Sequence, residues 1–218
     1  MKNTQIVLNS PPSNDDSRFE WYIRARNPLR KLQRKALVES CKGKRILDIG
    51  GGTGRTANEL AISGHEVIVL DKNAAIMIFG QRRYPKLSFI RGDAYSLPFR
   101  DESFDEVILE EIIEHFEDQE KAIDEVLRVL RPGGQTILST PNKHLFRVYI
   151  FLLRLATVKL SEITNHVKSH IGELTYDQLV QLFRNFGEKK VIGLNPFCQF
   201  LAQRYPKLGI GLIGIFKK

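Results

Sequence analysis

Cysteine is scarce: the chain has two, Cys41 and Cys198, far apart and in no Cys-x-x-Cys pair. Their scarcity excludes a disulfide framework and a zinc knuckle, and points to a reducing, cytoplasmic setting. No charged N-terminal segment leads into an apolar run, so no secretory signal is expected. Long hydrophobic runs are missing too. The most lipophilic window, Leu145 to Ala156, is broken by Arg147 and Arg154 and is too short to span a bilayer. No internal repeat is evident. What remains is 218 residues, 42% hydrophobic and 27% charged, which suits one α/β domain with a sizeable core.

Charge is spread unevenly. Residues 1–45 carry 11 basic and 4 acidic groups, residues 46–125 carry 8 and 17, and residues 126–218 carry 14 and 4. The net charges are +7, −9 and +10, an acidic middle between basic flanks. A cationic ligand suits the middle; an anionic substrate or surface suits the flanks, whose simpler role is solubility. Ser10-Pro11-Pro12-Ser13-Asn14-Asp15-Asp16-Ser17 reads as part of a loose tail over residues 1–17, with a single domain from 18 to 218. Asn27-Pro28 starts a helix whose apolar stripe Leu29, Leu32, Ala36, Leu37 lies opposite Arg30, Lys31, Arg34 and Lys35. Phe19, Trp21 and Tyr22 before it read as helix packing or as part of a lid.

The most informative stretch is Arg45-Ile46-Leu47-Asp48-Ile49-Gly50-Gly51-Gly52-Thr53-Gly54-Arg55. It reads as a buried strand, a glycine turn and a helix on which Ala57, Leu60 and Ala61 recur. Glycines at four of five positions let a backbone lie against a ligand, and the helix start offers free N–H groups. The spacing is not Gly-x-Gly-x-x-Gly, since Arg55 stands three places after Gly52, so a dinucleotide fingerprint is excluded. A second apolar run, Glu66 to Leu70, ends in Asp71, where a ribose-binding acid belongs in such a βαβ unit.

Asp48-x-Gly50-x-Gly52-x-Gly54 resembles the first motif of the class I methyltransferases that use S-adenosylmethionine. The resemblance implies that Asp48 and the turn Gly50, Gly51, Gly52, Gly54 hold the amino-acid end of that cofactor. Arg91-Gly92-Asp93-Ala94 resembles the family's adenine-side motif, with Asp93 facing the exocyclic amine; Lys72, Ala94 and Glu110 join the implied cofactor contacts. The phrases Asp93 to Phe99, Glu114-His115, Arg131-Pro132-Gly133-Gly134 and Ser139-Thr140-Pro141-Asn142 resemble the type 11 group over about residues 40–142. The implied fold is α/β: a Rossmann-like, doubly wound seven-stranded sheet, mostly parallel with an antiparallel last strand and helices on both faces. The implied activity is in-line methyl transfer to a small, partly apolar acceptor, leaving S-adenosylhomocysteine.

Around this core the pattern predicts helices over 73–84, 119–130 and 177–186, the last opened by a capping box at Thr175-Tyr176-Asp177-Gln178. Strands are expected at 87–90, 104–109, 135–139, 189–194 and 208–216. An apolar helix over 145–160 belongs to a substrate-side insertion, 145–175. That helix reads as a cap on the site, an oligomer contact consistent with a homodimer, or a peripheral membrane contact.

A second constellation is Glu111-Ile112-Ile113-Glu114-His115, where helical spacing would bring both carboxylates and the imidazole together. His115 and Glu111 are the candidate catalytic residues, because an oxygen nucleophile benefits from a nearby base. With His166 and His170-Ile171-Gly172-Glu173-Leu174-Thr175 this set also resembles the metal-assisted 2′-O-methyltransferases of small RNAs, although Leu174 stands where those enzymes carry an aromatic residue. Oxygen and imidazole ligands would suit a divalent metal, and RNA is then the alternative acceptor. A third reading is a non-catalytic binder of the cofactor.

Overall fold

The computed structural model describes residues 28–155, 171–195 and 199–218. Its strands are β1 (Arg45–Ile49), β2 (Glu66–Asp71), β3 (Ser88–Arg91), β4 (Phe104–Glu110), β5 (Leu130–Pro141), β6 (Glu188–Leu194) and β7 (Gly211–Lys217). They form one sheet in the order β3-β2-β1-β4-β5-β7-β6. All neighbours pair in parallel from β3 to β5, while β7 runs antiparallel to both β5 and β6. The expected sheet, with its antiparallel last strand, is therefore present.

Helices α1 (Pro28–Ser40), α2 (Arg55–Ile62), α3 (Ala74–Arg83), α4 (Gln119–Val129), α5 (Lys143–Leu155), α6 (Tyr176–Leu182) and α7 (Gln199–Arg204) surround it. Alternation along the central strands divides the core. Leu47, Ile49, Ile68 and Leu70 pack with Ile123 and Val126 of α4 and Leu179 of α6, whereas Ile46, Val67 and Val69 pack with Leu29, Leu37, Leu60 and Met77 of α1 to α3. A strand buried on both faces needs apolar residues in both registers, which explains the nearly unbroken runs. Asp48 interrupts one of them.

Caps set several helix starts. Asn73 accepts from the Ala75 and Ile76 amides, Asp118 from Lys121, and Thr175 with Gln178 forms the expected capping box. Other boundaries differ from expectation. Helix α4 stops at Val129 instead of 130, because Leu130 already pairs with Phe104 and a register shift between Phe104 and Glu106 absorbs Arg131 to Gly134. Helix α6 ends at Leu182 instead of 186: Phe183 and Phe186 turn inward, and Phe183 stacks on Phe216 with centroids 4.0 Å apart. The last strand begins at Gly211, since Pro206–Leu208 is a short 3₁₀ turn, and α7 was not anticipated. The tail, Phe19, Trp21, Tyr22, Asn27, Ala156 to Leu160, His166, His170 and Cys198 lie outside the described residues. Among the described residues no helix is long and apolar enough to cross a membrane.

Candidate active site

Strand order reverses between β1 and β4, and at their carboxyl ends a cleft opens. Its floor is the glycine turn. Gly50, Gly52 and Gly54 have φ of +70°, +52° and +75°, a conformation costly for other residues. Gly51 is needed for a different reason: a Cβ there would stand 2.5 Å from Asp48 Oδ2. Gly54 caps α2 with no side-chain hydrogen bond, so the first helical N–H groups face the turn without a side-chain acceptor.

Asp48 lies under this floor, 1% exposed, and neither carboxylate oxygen has a hydrogen-bond partner. Burial pushes its carboxyl up to about 8, and repulsion from Glu110 and Asp71 adds to the effect. A buried acid with two idle oxygens costs stability unless a donor completes it. Asp71 is used on both sides: Oδ2 accepts from the Gly52 amide at 3.0 Å and Oδ1 from Asn73 at 2.8 Å. A carboxylate has about four acceptor sites, which leaves room for two hydroxyls.

Two cavities meet here. One of about 510 Å³ is lined by Lys72, Asp93, Ala94, Tyr95 and Phe116; the other, about 230 Å³, by Arg30, Arg34, Thr56, Glu110 and Glu111. Gly50, Asp71, Ile112 and His115 line both. Asp93 is exposed at the mouth of the larger, its Oδ1 accepting from the Tyr95 amide at 3.0 Å. Glu110 accepts from the Thr56 hydroxyl and pairs with Arg34 at 3.2 Å, which ties α1 and α2 to the end of β4.

The segment after Glu110 corrects the expected helix. Glu111 has φ +51° and only Ile113–His115 coils, as a single 3₁₀ turn. Ile112 packs over Gly50 and Ile113 is fully buried, so the chain folds into the sheet end instead of starting a helix. Glu111 and His115 reach the cleft. Glu114 points away, fully buried, accepting from Thr140 Oγ1 at 3.1 Å with its other oxygen unpartnered. Burial pushes Glu111 up to about 7; Arg30 opposes this and Glu110 reinforces it. Burial also raises Glu114 well above its ordinary value, helped by repulsion from Glu111. Gln33, 1% exposed, donates to Glu111 Oε1 at 2.7 Å. Among the described residues no group of three His, Cys, Asp or Glu is placed to hold a metal.

Sequence reasoning missed Arg30 and Arg34, read only as lying opposite the apolar stripe of the first helix, Gln33, which it did not single out, and Tyr95 and Phe116 on the larger cavity. A glutamine between two arginines on an otherwise amphipathic helix was the available signal.

Residues 47–138 match the family described as methyltransferase domain. That stretch, under half of the chain, resembles the methyltransferase-domain family of the type 11 group. Over 102 residues the chain is 38% identical to the demethylmenaquinone methyltransferase of Renibacterium salmoninarum, covering 47% of this chain and 43% of that one. The protein of the same name from Clavibacter sepedonicus is 39% identical over 116 residues, covering 50% and 47%. The matched part of the chain thus spans less than half the length of these curated relatives. A crystal structure of a SAM-dependent methyltransferase from Thermotoga maritima has the same fold, with a TM-score of 0.68 at 23% identity over 93% of this chain and 95% of that one. The matched stretch contains the whole glycine turn and ends inside β5.

Proposed function

We propose that this protein transfers a methyl group from S-adenosylmethionine to a small, partly apolar acceptor. The observation that carries the reading is Asp48, a carboxylate sealed beneath the glycine turn with no donor of its own. An ammonium in the narrower cavity, on the other side of the turn, would balance its charge when it ionises. Asp71 then takes the ribose hydroxyls, and Asp93 with Ala94 the adenine edge between Tyr95 and Phe116. Lys72 covers the rim. When bound, the cofactor supplies a methyl carbon made electrophilic by a sulfonium. The chain's part is alignment and proton handling: Ile112 packs over Gly50, and Glu111 and His115 stand on the acceptor side. Glu111, with a carboxyl near neutrality, can take a proton from an attacking hydroxyl or carbon acid, and His115 is the second base. Two relatives named for demethylmenaquinone make a demethylated quinol the first acceptor to try.

Titration calorimetry with the cofactor and with S-adenosylhomocysteine tests the first step. Saturable binding is expected, weakened about tenfold to a hundredfold by Gly51→Val, whose side chain collides with Asp48, and also by Asp71→Ala. Equal binding in both variants, or none in the parent, rejects the reading. A metal-assisted reaction would show activity lost with chelator and restored by Mg²⁺.

A further inference from the structure

Helix α7 lies on the sheet with its apolar bulk outward. Ala202 is its buried residue, at 1% exposure, whereas Phe200 is 79% and Leu201 47% exposed; Tyr205 and Leu208, just beyond, are 56% and 49% exposed. The arrangement is built into the backbone. A Cβ on Gly193 of β6 would stand 2.7 Å from the Ala202 carbonyl oxygen and 2.6 Å from that of Pro206, and one on Gly209 would stand 2.6 Å from Gly193 Cα. Helix and turn therefore press directly on β6, leaving large side chains no inward space. No aspartate or glutamate follows Glu188, while Lys189, Lys190, Arg204, Lys207, Lys217 and Lys218 do. Arg204 and Lys207 stand among the exposed apolar residues, with Lys207 reaching across to Asp177 at 2.8 Å. The Asn142 side chain donates to the carbonyls of Lys207 at 3.1 Å and Gly209 at 2.9 Å, which fixes the patch at the carboxyl end of β5, the end where the cleft opens.

We propose that this patch seats the protein on an anionic lipid surface. Phe200, Leu201, Tyr205 and Leu208 enter the headgroup boundary, Arg204 meets lipid phosphates, and Lys207 exchanges its exposed partner Asp177 for one. A second copy of the chain would bring the same cations face to face, and a nucleic acid would leave the aliphatic side chains wet. The inference stands apart from the methyltransferase reading.

The test is co-sedimentation of the full chain with phosphatidylcholine vesicles, with and without phosphatidylglycerol. Binding is expected only with the anionic lipid. It should fall about tenfold or more in Phe200→Ser/Leu201→Ser and again in Arg204→Gln/Lys207→Gln, with melting temperature and cofactor affinity unchanged. Absence of binding, equal binding to neutral vesicles, or full binding in both variants overturns the proposal. So does self-association that vanishes in the apolar variant without any vesicle binding, or retention of RNA in place of lipid.

Discussion

Asp48 ionises in the fold only above about pH 8, whereas an unfolded aspartate does so near about 3.9. Between those values the folded chain holds a proton that the unfolded chain has lost, so stability falls as pH rises through the window, at most about 1.4 kcal/mol per pH unit. Asp48→Asn removes the cost of charge burial. Its melting temperature should therefore change less than the parent's between about pH 5.5 and 7.5, and exceed it at the upper end. Cofactor affinity should drop in the same variant, because a neutral amide cannot balance an ammonium. A parent and variant with parallel pH curves would show that the carboxylate is not protonated in the fold. At this scale Asp48, Asp71 and Asp93 were legible in the sequence because each lies at a strand end or within two residues of one. That Asp48 would be sealed under Gly51 while Asp93 stays exposed was not, since both read as acids beside glycines.

At the scale of elements, the segment from Glu110 to His115 separates two carboxylates that look equivalent in sequence. Glu111→Gln should lower kcat with little change in cofactor affinity, flattening the pH–rate profile near about 7. Glu114→Gln should leave stability within about 1 kcal/mol, since a protonated acid and an amide both accept from Thr140. Glu114→Ala, which leaves Thr140 Oγ1 without its acceptor, should cost about 1–3 kcal/mol in denaturant titration. The failed expectation here was one of period. Residues at spacing three and four imply a helix only if the backbone stays helical, and the positive φ of Glu111 prevents that. The capping box at Thr175 was readable because it is local; the early end of α6 was not, because it depends on β7. Phe183→Ala should lower stability by about 3–5 kcal/mol, as measured by chemical unfolding, through loss of the stack on Phe216.

For the molecule as a whole, charge regions follow architecture. The acidic middle of the chain supplies the strand ends around the cleft, and the basic last third supplies α5, α7 and the outer strands. Salt should consequently weaken vesicle binding much more than cofactor binding, which rests on buried groups that ions do not screen well; comparing the two at about 50 and 300 mM salt checks this. The amino-acid sequence alone determined the parallel α/β core, the glycine turn and the acids at three successive strand ends, because short-range patterning and backbone sterics act within a few residues. Only the tertiary structure decided that Asp48 has no partner, that Glu114 turns away from Glu111, that α1 brings Arg30, Gln33 and Arg34 to the cleft, and that α7 faces its phenylalanine outward. The positions of Gln33 against Glu111 and of Thr140 against Glu114 depend on elements that approach across 78 and 26 residues, and no local pattern encodes which atoms meet across such distances.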